Sequence, residues 1–505
     1  MKKTKLSLLF LLPLMIGALS GCTRGEPTSE PTSQQSSGGQ SESQSTQPEV
    51  KSVRIKFWHT FGQTVVDGLK SKIDTFKGLV KQNDGVDVDV ELIYQGGYDD
   101  VAYNIRNGYS VNNKPTIAVA YPDHIADYLE IGKSAGEEFV VNLDKFINSD
   151  TVGFGKEAWL GDLYDETDFV EDFYEEGSAH IVPGTYSLPY MKSTEIMFYN
   201  LDLLISAFEY YKPEFESSET KIVNFMKRIT WEDFLDLCRV IKEHKTDMDA
   251  NALEVPFWYD SDANFLITKM YQNRIGYSHI LDSGKGHIDF ADGEDYNNTK
   301  TLLTSLKNAY DEGLYTTKGI KNTYGSDFFT NEKCVFSIGS SGGSGYNFPQ
   351  ADAFRLGVCR VPASNGNPTY VTQGPTIAMF SDSGLSEAVN NATQLYAWKF
   401  MKYITNGQVN AELCVNGSEG YVPVRYSAYE TEFFQEFMAE GEKYAQCYQV
   451  VVDDISSYLV TPCFKGSAKL REECGSLLTA VLNATGTDNI DSLMQRAIDN
   501  ATLAM

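Results

Sequence analysis

Residues 186–200 read YSLPYMKSTEIMFYN. Pro189 has no N–H to give to a sheet ladder and biases Leu188 toward extended geometry, so a strand enters at Leu188 and changes partners there. A second apolar run, 196–199, follows at once. Two short strands broken by a proline, with similar apolar mass on either side, describe a chain crossing between two lobes. The stretch reads as a hinge.

Before the hinge, 53–58 alternates as VRIKFW, a half-buried strand, and Gly62 turns the chain into a helix carrying Val65, Leu69, Ile73, Phe76 and Val80 on one face. Alternation returns over 86–93, followed by a helix from about Asp99, an apolar strand over 116–120 and a helix from about Asp123. Strands alternating with helices imply a parallel sheet covered on both faces, and ligands gather at the carboxyl ends of such strands. Those ends carry Trp58-His59, Gly97-Tyr98 and Tyr121-Pro122-Asp123. After the hinge, Thr230 with Asp233 forms a capping box before a helix whose stripe is Phe234, Leu237, Cys238 and Ile241. Segment 255–260 reads VPFWYD, and a strand over 334–338 runs into Gly339-Ser340-Ser341-Gly342-Gly343-Ser344-Gly345. A further strand is expected over 356–362.

Leu188-Pro189 followed by Met197-Phe198-Tyr199-Asn200 resembles the crossover of extracellular solute-binding proteins (family 1, carbohydrate type), the capture subunits of bacterial ABC importers. Phe57-Trp58-His59, Thr230-Trp231-Glu232-Asp233 and Gly420-Tyr421-Val422-Pro423-Val424-Arg425 agree in order and spacing, so the similarity spans the chain from about residue 51 onward. The resemblance implies an α/β, two-lobed, periplasmic-binding-protein-like fold of type II, each lobe a sheet flanked by helices, joined by a multi-strand hinge. Lobe 1 is expected to comprise 51–188 with 374–428, and lobe 2 189–373 with 429–505; the second crossing falls in 371–380 and the third near 425–433. It also implies a receptor, not an enzyme, that needs no cofactor, delivers a carbohydrate to ABC permease subunits and acts as a monomer. By resemblance Asp123 stands where a hydroxyl-binding acid belongs, Trp258 where the second lobe offers a stacking ring, and Ser340-Ser341 where that lobe closes from below.

The 505 residues, 42% hydrophobic, suffice for more than one domain, and a net charge of −27 argues against nucleic acid as a partner. Lys2, Lys3 and Lys5 precede an apolar run over 6–19 that is too short to span a membrane, so residues 1–21 read as an export signal. Leu19-Ser20-Gly21-Cys22 resembles a bacterial lipobox, which makes Cys22 an acylated first residue of an extracytoplasmic protein held to the cell membrane by lipid. Residues 23–50 contain no aromatic and abound in Ser, Gln, Pro and Glu; as a flexible coil they reach roughly 30 Å, a suitable tether. The other seven cysteines show no C-x-x-C pair, and Cys238 on its helical stripe is a core residue.

Gly339-Ser340-Ser341-Gly342-Gly343 matches a nucleophile elbow, but the triad histidine should follow it and the last histidine is His287. What remains is a glycine-rich turn whose N–H groups and hydroxyls suit a ligand's oxygens. Gly132-Lys133-Ser134 lacks the earlier glycine of a P-loop, and the six histidines show no metal-ligand spacing, so no metal site is expected. Aromatic residues beside turns carry more information: Trp58, Tyr98, Tyr121, Trp258, Tyr346 and Tyr421 adjoin Gly, Pro or polar residues, as a carbohydrate cleft requires. His59, Asp260 and Gly374 complete the expected lining. Arg425 in its Gly-Tyr-Val-Pro-Val-Arg turn supports an alternative, in which it clamps the phosphate of glycerol phosphate or a glycerophosphodiester. A secreted glycoside hydrolase would share the aromatic cleft, whereas an adhesin or inert surface module would take no small ligand.

Overall fold

The computed structural model describes residues 50–505 except 112, 351, 352, 418 and 419. The export signal, Cys22 and the tether up to residue 49 lie outside the described residues. In chain order the strands are β1 (Ser52–His59), β2 (Asp87–Tyr94), β3 (Ile117–Ala120), β4 (Ser187–Pro189), β5 (Glu195–Asn200), β6 (Phe257–Tyr259), β7 (Ser278–Ile280), β8 (Gly286–Ile288), β9 (Tyr315–Thr317), β10 (Phe336–Ser340), β11 (Leu356–Arg360), β12 (Tyr370–Val371), β13 (Thr376–Met379) and β14 (Tyr458–Leu459).

Two five-stranded sheets organise the molecule, ordered β2-β1-β3-β13-β4 and β11-β5-β10-β6-β9. In the first, β1 is parallel to β2 and β3 while β13 runs antiparallel to β3 and β4. In the second, β6 is parallel to β9 and β10, and β5 is antiparallel to β10 and β11. Val53, Ile55 and Phe57 of β1 are buried, as are Val65, Leu69, Ile73, Phe76 and Val80 of the helix Gln63–Asp84, the stripe its spacing predicts. Central strands β3 and β5 are buried along their whole length, as strands covered on both faces are. Thr230 caps the helix Trp231–Glu243, its hydroxyl accepting from the Asp233 N–H at 3.1 Å. The seven described cysteines are buried and form no disulfide with one another, Cys238 among them. Among the described residues no helix is long and apolar enough to cross a membrane.

The proline does what its position predicts. β4 ends at Pro189 in the first sheet and β5 begins at Glu195 in the second. In the gap, Lys192 exchanges backbone hydrogen bonds with Val422 (3.1 and 2.7 Å) and Ser193 with Gln373 (3.0 and 2.8 Å). Gly374, at φ +89°, lets the second segment close on the first, since a Cβ there would stand 2.3 Å from the Met191 carbonyl oxygen. The Lys192 side chain, only 1% exposed, binds both neighbours: its ammonium donates to the Gly374 carbonyl at 3.0 Å and to the Glu176 carboxylate.

The third expected crossing needs correction. After Val422 the chain turns back into the first lobe, where the Val170 N–H donates to the Val424 carbonyl at 3.0 Å and Phe169 bridges Arg425. The helix Glu432–Glu440 packs on Gly407–Gly417, which packs on Gln63–Asp84; Lys443–Asp453 is the helix that reaches β11 and β5. The chain therefore changes lobe near Gly441, a left-handed cap at φ +66°, and not at 425–433.

Replacing Lys192 with methionine strands the Glu176 carboxylate in the interior. Urea unfolding at pH 8 should show a loss of ~3–5 kcal/mol, the cost of breaking a buried pair, and the Lys192→Met/Glu176→Gln double variant should recover much of it. A double variant no more stable than the single one would mean that the pair is not what holds the crossing.

Candidate binding cleft

A cleft of about 800 Å³ opens beside the crossing segments, lined from both lobes. On the first-lobe side, β3 delivers Tyr121 to the cap of the helix Pro122–Ala135 and Asp123 to its first turn. Tyr121 lies against Tyr98, ring centres 4.4 Å apart. On the second-lobe side stand Glu195 at the start of β5, Asp260 just past β6, Lys318, Tyr324, Asp327 and the turn after β10. Gln373 and Gly374 form the floor with Glu176.

The glycine-rich turn is built against Tyr421. A Cβ at Gly342 would lie 2.8 Å from the Tyr421 Cζ, so the ring sits on bare backbone. Ser340 Oγ donates to Ser193 Oγ at 3.2 Å and accepts from the Gly342 N–H at 3.2 Å, which ties the turn to the hinge. Arg471, from the helix Ser467–Asn483, spans the cleft: it donates to Asn264 Oδ1 at 2.8 Å and Thr461 Oγ1 at 3.3 Å, and its Nε stands 3.5 Å from Asp123 Oδ2.

Acids outnumber bases here. With Asp123 beside Arg471 and Glu176 on Lys192, the remaining acidic side chains of the lining are Glu195, Asp260 and Asp327 against one base, Lys318, whose ammonium lies 3.8 Å from the Tyr324 ring centre. Glu195, 3% exposed, accepts from the Tyr259 hydroxyl at 2.6 Å, while its Oε1 completes no hydrogen bond. Burial pushes the Glu195 carboxyl up to about 8 despite that hydroxyl, and the Asp260 carboxyl up to about 6. Glu195 is thus a neutral acid below pH 8, able to donate as well as accept.

Of the expected site residues, Tyr121, Asp123, Asp260, Ser340, Gly374 and Tyr421 line this cleft together, and Tyr98 supports them from behind. Tyr346, singled out among the aromatics, lines it too. The other five expectations are corrected. Trp58 is inside the ladder, paired with Ile93 and Ala118 and 2% exposed, because β1 continues past it. Trp258 is the middle residue of β6, fully buried, its ring 4.3 Å from that of Phe328; the two tryptophans do not face each other across the cleft. His59 is buried with Nδ1 accepting from the Phe61 N–H at 3.1 Å, and desolvation lowers it to about 4. Ser341 is buried, its N–H donating to the Thr194 carbonyl at 2.8 Å.

Arg425 is 1% exposed: its Nε donates to the Thr405 carbonyl at 2.8 Å, Asp168 and Asp162 stand 3.5 and 3.9 Å away, and its guanidinium covers the Phe169 ring at 3.9 Å. It is a core cation with no reach to the cleft. Sequence reasoning missed Glu195, Glu176, Arg471, Lys318, Tyr324 and Asn264. Glu195 did leave a signal, a carboxylate opening an otherwise apolar strand, since such groups are rarely buried without a purpose. Arg471 left none, because the helix Ser467–Asn483 that brings it folds back from far along the chain.

The family profile described as "Bacterial extracellular solute-binding protein" matches residues 73–439. No curated protein matches by sequence. Among solved structures, the GacH receptor of Streptomyces glaucescens GLA.O, studied unliganded and with acarbose, is similar at TM-score 0.61 and 16% identity over 90% of this chain and 99% of that one. UgpB from Mycobacterium tuberculosis, in complex with glycerophosphocholine, is similar at TM-score 0.61 and 16% identity over 89% and 98%. Maltose-bound MalE3 of T. maritima is similar at TM-score 0.61 and 13% identity over 89% and 100%. At these identities the likeness establishes the two-lobed fold.

The state of Glu195 is open to test. Its folded value of about 8 lies above the ordinary 4.5, so its contribution is full at low pH and is lost as pH rises through 4.5 to about 8. Between pH 5 and 9 the wild type should therefore lose several kcal/mol more stability than Glu195→Gln. Parallel unfolding curves for the two proteins across that range would show the carboxyl to be ionised in the fold.

Proposed function

We propose that this chain, which belongs to the bacterial extracellular solute-binding proteins, captures a carbohydrate between its lobes and delivers it unchanged to an ABC permease. The carrying observation is the cleft itself, about 800 Å³ in which Tyr121, Tyr324, Tyr346 and Tyr421 alternate with carboxylates, amides and hydroxyls. Flat rings pack on the apolar faces of pyranoses while Asp123, Glu195, Asp260, Asn264 and Ser340 meet the hydroxyls. The acarbose and maltose complexes of the similar structures support the same class of ligand. Delivery without chemistry is the part of this reading taken from the family; the serine turn offers no support for acyl transfer, since among the described residues no histidine lines the cleft and Ser341 is buried. Closure by rotation about the crossing segments encloses the sugar, and the receptor works as a monomer held to the membrane by lipid on Cys22.

A glycerophosphodiester is the second reading, favoured by the UgpB complex. The charge of the lining weighs against it. Arg425 is unreachable, Arg471 already faces Asp123, and above pH 6 Asp260 and Asp327 would repel a phosphate more than Lys318 attracts it.

A thermal-shift screen over neutral oligosaccharides and glycerophosphodiesters separates the two, since ligand at ~100 times Kd stabilises by about 2.7 kcal/mol. Sugars should shift the melting point, and the radius of gyration from small-angle scattering should fall with the same sugar. Tyr324→Ala and Tyr346→Ala, both exposed without ligand, should weaken binding roughly tenfold each and leave the free fold intact. A shift confined to glycerophosphodiesters would replace the sugar reading, and turnover of an oligosaccharide would end the receptor reading.

For the anchor, Cys22→Ser should abolish radioactive palmitate incorporation and membrane retention. Unchanged labelling would place the lipid elsewhere.

A further inference from the structure

We propose that the β7–β8 hairpin carries a binding site for a divalent transition-metal ion, built from His279, His287 and Asp289. The site is separate from the sugar cleft and independent of the function proposed above.

The hairpin register sets it up. β7 and β8 pair antiparallel with His279 directly opposite His287, and their ring centres lie 4.9 Å apart. Asp289 follows directly after β8, two residues beyond His287, and opens the short turn Asp289–Ala291. One ligand atom from each residue lies within 4.8 Å of the others. Both imidazoles aim Nδ1 at the same carboxylate oxygen: His279 Nδ1 is hydrogen-bonded to Asp289 Oδ1 and His287 Nδ1 stands 3.3 Å from it. Hydrogen bonding alone requires both rings to carry their proton on Nδ1; a bound cation would take the place of those two protons and satisfy all three donors together.

Two imidazoles and one carboxylate suit zinc, nickel, cobalt or copper, not calcium or magnesium, which demand more oxygen ligands. Ligand atoms of a tetrahedral ion at ~2.0–2.1 Å stand about 3.3 Å apart, so the widest separation must close by about an ångström or more. The two imidazoles, 52% and 41% exposed against 20% for Asp289, have the room to make that adjustment. Three protein ligands leave a fourth position for water or an outside ligand. The ground beneath is acidic and firm: Gly276 is wedged between Asp289 and Asp295, and its N–H donates to Asp295 Oδ1 at 3.0 Å. On the other side the Gly286 backbone lies against the Phe464 ring.

The test is calorimetric titration of Ni²⁺ and Zn²⁺ into the untagged full chain after EDTA treatment, with Co²⁺ absorption reporting coordination geometry. One saturable site per chain is expected, weakening as pH falls and the imidazoles take up protons. His279→Gln and His287→Gln should each lower affinity at least tenfold, and Asp289→Asn should do so without altering either ring. Far-UV circular dichroism of each variant should match the wild type. Unsaturable titration, or wild-type affinity in the His279→Gln/His287→Gln double variant, would overturn the proposal.

Discussion

One buried ammonium group decides how this chain is divided. Lys192 lies in the short span that belongs to neither sheet, its backbone bonded to Val422 and its side chain to Gly374 and Glu176. Removing a charge from water is expensive, and a buried pair returns the cost only with partners in place; what such a pair supplies is register. A slip of any crossing segment would leave Lys192 or Glu176 unpaired, so the three segments are locked to one alignment. The cleft inherits that alignment, because Gln373, Gly374, Glu176 and, through Ser193, Ser340 are the same residues or their direct partners.

The first lobe holds a second set of buried ions with a different purpose. Lys402 reaches Glu157 at 2.9 Å and Asp162 at 3.1 Å, Lys399 reaches Asp84 and Glu157, and Arg425 lies over Phe169 beside Asp168. These groups join the long helix Glu387–Ile404 to loops over 153–168 that have little regular structure of their own. Charge here adds to the apolar contact of Phe154 with Trp398 and Phe169, and it removes Arg425 from any dealings with ligand.

Local rules read well from the sequence. Pro189 marked the crossing, the stripe from Val65 to Val80 marked a core helix, and Thr230 marked a cap, since each depends on neighbours within a few residues. Tyr121, Asp123 and Asp260 were legible as cleft residues because they follow strands at the edge where a sheet ends, and Tyr421 because it adjoins a glycine in a turn. Trp58 and Trp258 misled for the same reason: a strand one residue longer turns an edge ring into a core ring. Arg471, Glu195 and the His279–His287 pair depend on which distant segments meet, and no spacing along the chain records that. Eight residues of separation mean nothing for ligation until a two-stranded register places them face to face.

Arg471 gives the cleft an occupant of its own. With Asn264 and Thr461 on one side and Asp123 on the other, it acts as a tethered guest that already engages both lobes. An incoming solute that takes up Asp123, as proposed above, competes with a resident side chain, and its net affinity is the difference between two sets of contacts. The same exchange works in reverse at unloading. On that reading, when the lobes give up their cargo Arg471 returns to Asp123, so the departing solute leaves behind a carboxylate that is not stranded.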